Sequence, residues 1–203
     1  MQTPRRKGLA VADRASRWRL GLTAGLGLAL DLAAKSLGWT LLGGPPESGG
    51  REVTLIPQWL RLVAGRNPGI VFGFNFGESL GIGPVAGRAL TVLLTLATSA
   101  LIFYVFAVSR PRQKWLHAWC GLILAGAFGN LYDRLVYGHV RDLIQITAHA
   151  TVAGYTLQWP YVFNVADVYL VVGVAAVALV YLFDHGPDLA EGEKSKDLSD
   201  EHH

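Results

Sequence analysis

The chain has 203 residues, of which 51% are hydrophobic and 16% charged, and 18 Lys and Arg against 15 Asp and Glu leave a net charge of +3. An ordinary soluble domain carries roughly 25% charged residues, so this composition excludes a disordered chain and argues against a water-soluble one. The single cysteine, Cys120, excludes a disulfide-stapled fold. The small net charge gives no reason to expect nucleic acid as a partner.

Residues 1–19 form a basic start with Arg5, Arg6, Lys7, Arg14, Arg17 and Arg19. An apolar stretch follows from about Leu20 to Leu42, broken only by Asp31 and Lys35. It exceeds the 7–15 apolar residues of a cleaved secretory leader and reads as a retained span. A second stretch, Ala89 to Val108, has no charge. A third runs from Trp115 to Leu131 and meets Asp133-Arg134 at its end, and a fourth runs from Val162 to Phe183 with Asp167 as its one charge. Each is near the ~20 residues that cross a bilayer core. The prediction is therefore a membrane all-α body over residues 20–183 with four transmembrane helices.

Positive charge sets the orientation. The basic start and the short loop with Arg110, Arg112 and Lys114 fall on one side of a four-span chain, which the positive-inside rule makes cytoplasmic. The outer loops are then residues 43–87 and 137–161. In the first, Glu52–Ile56, Leu60–Val63 and Ile70–Phe74 read as short strands, separated by turn signals at Gly43-Gly44-Pro45-Pro46 and Asn67-Pro68-Gly69. In the second, Val152–Trp159 reads as a strand or hairpin. These predict a small sheet on the outer membrane surface. The polar, acid-rich residues 184–203 read as a disordered cytoplasmic tail. Trp18, Trp39, Trp115 and Trp159 fall near span ends, as an interfacial belt requires.

Four acids lie in or beside the spans: Asp31, Asp133, Asp142 and Asp167. Ionisable groups at membrane depth are costly and often functional. Asp31 and Lys35, four apart on one helix, can neutralise each other. Arg134 stands beside Asp133 as a partner in a clasp. Asn130 with Asp133, and Asn164 with Asp167, repeat a spacing of three, which places each pair on one helix face; the asparagines read equally as caps, as helix glue or as ligand contacts. His139 and His149 read as loop residues, and no metal-binding spacing occurs. Asp142 and Asp167 are left without an obvious cation. Two carboxyls that approach closely cannot both ionise easily, so one holds a proton while the other acts as a base. That is the chemistry of metal-free and cofactor-free aspartyl peptide hydrolysis. An ion-coupled transporter is the competing class, but repeats and acids at the midplane are missing. A purely structural role for the aspartates is the third reading.

The motifs resemble those of signal peptidase II, the lipoprotein signal peptidase family. Five segments carry the resemblance: Asp31-x-x-x-Lys35, Asn67-Pro68-Gly69-Ile70-Val71-Phe72-Gly73, Gly129-Asn130-Leu131-Tyr132-Asp133-Arg134, Val140-Arg141-Asp142-Leu143-Ile144 and Phe163-Asn164-Val165-Ala166-Asp167. The resemblance implies an aspartyl endopeptidase of the bacterial inner membrane. Its substrate would be a prolipoprotein, cut just before a diacylglyceryl-modified cysteine. It implies Asp142 and Asp167 as the catalytic pair, with Asn67, Gly69, Asn130, Asp133, Arg134 and Asn164 shaping or supporting the site. Asp31 and Lys35 would be structural, and the outer sheet would form a cradle over the substrate. Membrane lipids and the signal peptide are the implied partners of a monomer with both termini cytoplasmic. The chain departs from the family pattern at Arg141 and Leu143, which flank Asp142.

Overall fold

One helix organises the molecule. Helix α4 (Lys114–Val136) is buried along most of its length, while α1 (Arg14–Leu42), α3 (Gly83–Val108) and α5 (Val165–Asp184) pack around it. The computed structural model describes residues 8–69, 76–152, 155–158 and 161–184. A short α2 (Phe76–Ser79) leans on the start of α3.

The helix boundaries follow from local chemistry. Asp13 caps α1 by accepting the backbone N–H of Ser16 at 2.7 Å. At the other end Gly43 adopts φ 72°, the left-handed geometry that glycine supplies cheaply. Close packing of α4 rests on small residues. A Cβ at Gly126 would sit 2.5 Å from the Ala166 carbonyl oxygen of α5, and a Cβ at Gly129 would overlap Asp31 Oδ2 of α1. Small residues of this kind let membrane helices approach backbone to backbone.

Burial runs opposite to that of a soluble bundle. Asp31, Lys35 and Asp133 are fully buried, whereas Leu26, Leu30, Leu37, Leu93, Leu101, Val171 and Leu182 are exposed. Polar groups face inward and large apolar side chains face outward, as hydrocarbon solvent requires. Among the described residues three helices are long and apolar enough to cross a membrane: Arg14–Leu42, Gly83–Val108 and the stretch Val165–Phe183. Helix α4 is not among them, because its inward-facing His117, Asn130, Asp133 and Arg134 dilute its apolar character.

A four-stranded antiparallel sheet covers one end of the bundle, in the order β1 (Val53–Ile56), β2 (Leu60–Asn67), β3 (Val140–Ile146), β6 (Val162–Phe163). Cross-strand register sets Gly65 of β2 opposite Asp142 of β3, and Ile144 opposite Phe163. Strands β4 (His149–Val152) and β5 (Tyr155–Gln158) form a separate hairpin. The two predicted strands at Glu52–Ile56 and Leu60–Val63 are thus present, the second extended to Asn67. The third, Ile70–Phe74, lies outside the described residues. The predicted fourth apolar stretch begins three residues too early, since Val162–Phe163 pair in the sheet and the helix starts at Val165. The sheet meets the helices through Leu42, Ala64 and Leu143, with Trp39, Leu62 and Ile144 around them.

Candidate active site

The sheet–bundle junction gathers every predicted site residue. Strand β3 leaves α4 through a tight turn at Gly138 (φ 77°) and carries Asp142, which is 2% exposed. Strand β6 leads directly into α5, whose first turn carries Asp167. Because β3 and β6 are paired neighbours, the two aspartates converge from different directions.

Asn164 joins them. Its Nδ2 donates to Asp142 Oδ1 at 2.6 Å. Its backbone N–H donates to Asp167 Oδ2 at 3.0 Å, and its Oδ1 accepts the Asp167 N–H at 3.1 Å. The last two bonds are a reciprocal capping box at the start of α5. One residue thereby fixes the helix end and bonds both carboxylates, Asp142 through its side-chain amide and Asp167 through its backbone N–H. Asn67 Nδ2 donates to the other oxygen of Asp142 at 3.1 Å. Asn130 Nδ2 donates to Asp167 Oδ1 at 2.9 Å. Among the described residues neither aspartate has an ion-pair partner within 4 Å. Burial, and then the charge of Asp167, push the Asp142 carboxyl up to about 7, with the donated bonds from Asn164 and Asn67 opposing the shift.

Beneath this pair lies a layer of compensated charge. Lys35 Nζ sits 2.8 Å from Asp31 Oδ2 and 3.7 Å from Asp133 Oδ2, and it donates to Asn130 Oδ1 at 2.8 Å. Asp31 Oδ1 accepts the Ala166 N–H at 2.9 Å, so this pair also anchors the first turn of α5. Asn130 is the link between the layers: its carbonyl oxygen faces Lys35 and Asn164 while its amide faces Asp167.

The expected Asp133–Arg134 clasp is corrected. Asp133 is paired with Arg141, whose Nη2 lies 2.8 Å from Oδ1 and whose backbone N–H donates to Oδ2 at 2.9 Å. The Arg141 guanidinium also lies 4.2 Å from the centre of the Tyr137 ring. Successive residues on a helix point in directions about 100° apart and do not face each other. Arg134 accordingly turns the other way and donates to the carbonyls of Gly69 (2.7 Å) and Asn130 (3.2 Å). Gly69 in turn donates its N–H to Asn67 Oδ1 at 3.0 Å, closing a turn that aims Asn67 at Asp142. The sequence reading missed Arg141 as the partner of Asp133; the signal for it was an opposite charge eight residues beyond Asp133, across a glycine turn. Of the predicted loop histidines, His139 lies in the α4–β3 turn and His149 in β4. An apolar cavity of about 180 Å³ opens beside the site between α1, β2, β3 and α5, lined by Ala34, Gly38, Leu42, Leu62, Leu143 and Val165 among others.

The family model for signal peptidase (SPase) II matches residues 23–183, which include all of these groups. The chain belongs to the signal peptidase II family. It is a membrane-embedded peptidase of that aspartic group. Relatives named lipoprotein signal peptidase support the assignment. One from Rhodopseudomonas palustris is 40% identical over 164 residues, covering 80% of this chain and 90% of its own. Another from Chlorobaculum tepidum is 36% identical over 136 residues, covering 66% of this chain and 77% of its own. A bacterial membrane enzyme solved by the in meso method at 2.3 Å resolution shares the fold, with TM-score 0.65 and 24% identity over 83% of this chain and 90% of that one.

Proposed function

We propose that the chain removes the signal peptide from prolipoproteins by using Asp142 and Asp167 as an acid–base pair, cutting just before the diacylglyceryl-modified cysteine. The observation that carries this reading is Asn164, which bonds the Asp142 carboxylate through its side-chain amide and the Asp167 carboxylate through its backbone N–H. Asp142, raised to about 7, holds the shared proton. Asp167 sits at the N-terminal turn of α5, where the helix dipole favours a carboxylate, and serves as base. Asp167 takes a proton from a water whose oxygen attacks the scissile carbonyl carbon. Asp142 gives its proton to the carbonyl oxygen, forming a gem-diol. The diol collapses as Asp167 passes its proton to the leaving nitrogen and Asp142 recovers one from a diol hydroxyl. The C–N bond breaks, leaving a new carboxyl on the signal peptide and a free amine on the lipidated cysteine. No metal or cofactor enters.

In this reading α4 is a fourth span, enclosed by the other three. Both termini are cytoplasmic, and the site faces the periplasmic surface of the inner membrane under the sheet. The apolar cavity beside Leu143 takes an apolar part of the substrate. Asn67, Gly69, Asn130, Asp133, Arg134 and Asn164 hold the pair in place, with Asp31 and Lys35 as its structural base, and the enzyme works as a monomer. The test is cleavage of a diacylglyceryl-modified precursor by purified protein in lipid. Asp142→Asn and Asp167→Asn are each expected to abolish cleavage while the protein stays folded, and retained cleavage in either would overturn the assignment.

A further inference from the structure

The turn between α4 and β3 carries more positive charge than the fold neutralises. Five cations lie near this corner, one of them Arg134, which is buried and engaged by the carbonyls of Gly69 and Asn130. Lys35 and Arg141 are matched by Asp31 and Asp133. Arg66 and Arg88 are not: no described carboxylate lies within 4 Å of either, and both are exposed. Arg88, in the second turn of α3, lays its guanidinium 3.4 Å from the point where a Cβ of Gly138 would stand. Arg66 is the cross-strand partner of Arg141 and acts electrostatically on His139, the residue after Gly138. Two unmatched guanidiniums therefore flank one turn, although like charges repel and gain nothing by approach in the protein alone.

The surroundings indicate what would neutralise them. Trp39, Tyr137 and Tyr132 line the same corner: the Trp39 and His139 rings are 6.0 Å apart, those of Tyr137 and His139 are 6.5 Å apart, and those of Tyr132 and Tyr137 are 6.3 Å apart. Exposed apolar residues lie alongside, Leu135 and Val136 of α4 and Val85 of α3, with Leu93 deeper along α3. Aromatic rings above an apolar face mark headgroup level in a bilayer. His139 is held below the ordinary histidine range by burial and by the charge of Arg66, while the two arginines carry fixed charge.

We propose that Arg66 and Arg88 form a binding site for the phosphate of an anionic phospholipid headgroup, with the acyl chains lying along the apolar faces of α3 and α4. Guanidinium matches phosphate in charge and in paired N–H geometry. A basic residue at a membrane surface favours an anionic lipid by about fivefold, so the pair is expected to contribute about 25-fold.

The experiment uses the full chain in neutral detergent, with bound lipid counted by native mass spectrometry during titration with phosphatidylglycerol or phosphatidylcholine. The basic residues at the opposite end of the bundle contribute equally in all variants, so the comparison between variants isolates this corner. The parent is expected to hold one tight phosphatidylglycerol that Arg66→Gln/Arg88→Gln loses, with affinity at that site falling about 25-fold and phosphatidylcholine binding unchanged. Arg66→Lys/Arg88→Lys keeps the charge and is expected to keep most of the affinity. Equal phosphatidylglycerol binding by parent and Gln variant overturns the proposal, as does an equal loss in the Lys variant. Displacement by soluble glycerol phosphate at comparable concentration overturns the lipid as its source.

Discussion

Replacing Arg141 by Leu tests whether the cation at the start of β3 holds the active-site strand. In the native fold Asp133 is fully buried and accepts two Arg141 side-chain nitrogens, Nη2 at 2.8 Å and Nε at 3.2 Å, as well as the Arg141 backbone N–H. Arg141→Leu keeps only the backbone bond. The remaining ammonium, Lys35, stands 3.7 Å away and is already engaged by Asp31 at 2.8 Å. Breaking a buried ion pair from one side costs about 3–5 kcal/mol, and the surviving Lys35 contact argues for the lower end. Loss of the guanidinium from the face of Tyr137 adds roughly 0.5–1 kcal/mol. A loss of about 3.5–4 kcal/mol lowers the melting temperature of a chain this size by roughly 7–16 °C. The assay is thermal unfolding in detergent, paired with precursor cleavage at a temperature where the variant is folded. Because Asp142 follows Arg141 directly, cleavage is expected to fall even there. The double variant Asp133→Asn/Arg141→Leu removes both charges and should melt higher than the sum of the two single effects predicts. A single variant melting within about 2 °C of the parent, or strict additivity in the cycle, refutes the reasoning.

Three further outcomes follow from the same geometry. Asp142 has a raised carboxyl, so its contribution to stability is complete below the unfolded value near 3.8 and is lost as pH rises through about 7; melting temperature should fall between pH 5 and pH 8 in the parent, with a flatter profile in Asp142→Asn, and cleavage should decline above about pH 7 as the acid loses its proton. Gly129→Ala places a methyl group on Asp31 Oδ2 and forces α1 from α4, at a cost of about 1–3 kcal/mol, seen as lower folded yield and melting temperature. Asn164→Ala removes the cap of α5, worth about 1 kcal/mol, and takes away the amide bond to Asp142 while the backbone N–H to Asp167 remains, so cleavage should drop far more than stability.

Charge and polarity along the chain made much of this site legible. Acids inside apolar stretches stand out because they are costly there, and the spacing of three between Asn164 and Asp167 is a helix-start signature that the structure fills with a capping box. The partner of Asp133 was not legible in the same way. Adjacency in sequence favoured Arg134, whereas helix geometry turns neighbours apart and brings Arg141 back over the turn at Gly138. The role of Gly129 was equally hidden, since close approach of two helices is a tertiary property that no local pattern encodes. Helix α4 falls short in hydropathy because the other helices enclose it and its polar groups face inward.

The two charge layers differ in kind, and the difference bears on catalysis. Asp31 and Asp133 are matched by Lys35 and Arg141 at ion-pair distance. Asp142 and Asp167 are instead surrounded by the neutral amides of Asn67, Asn130 and Asn164. A cation in contact with a carboxylate lowers its proton affinity by one to three units or so. That would empty the pair of the proton that the proposed mechanism has it share. An amide fixes the geometry without supplying net charge, and Asn130 carries this furthest. Its oxygen accepts from Lys35 while its nitrogen donates to Asp167, so the ammonium orients the amide and the amide stands between charge and carboxylate. The buried cations thus order the site, and the asparagines keep their charge one residue away from the aspartates that the proposed mechanism asks to trade a proton.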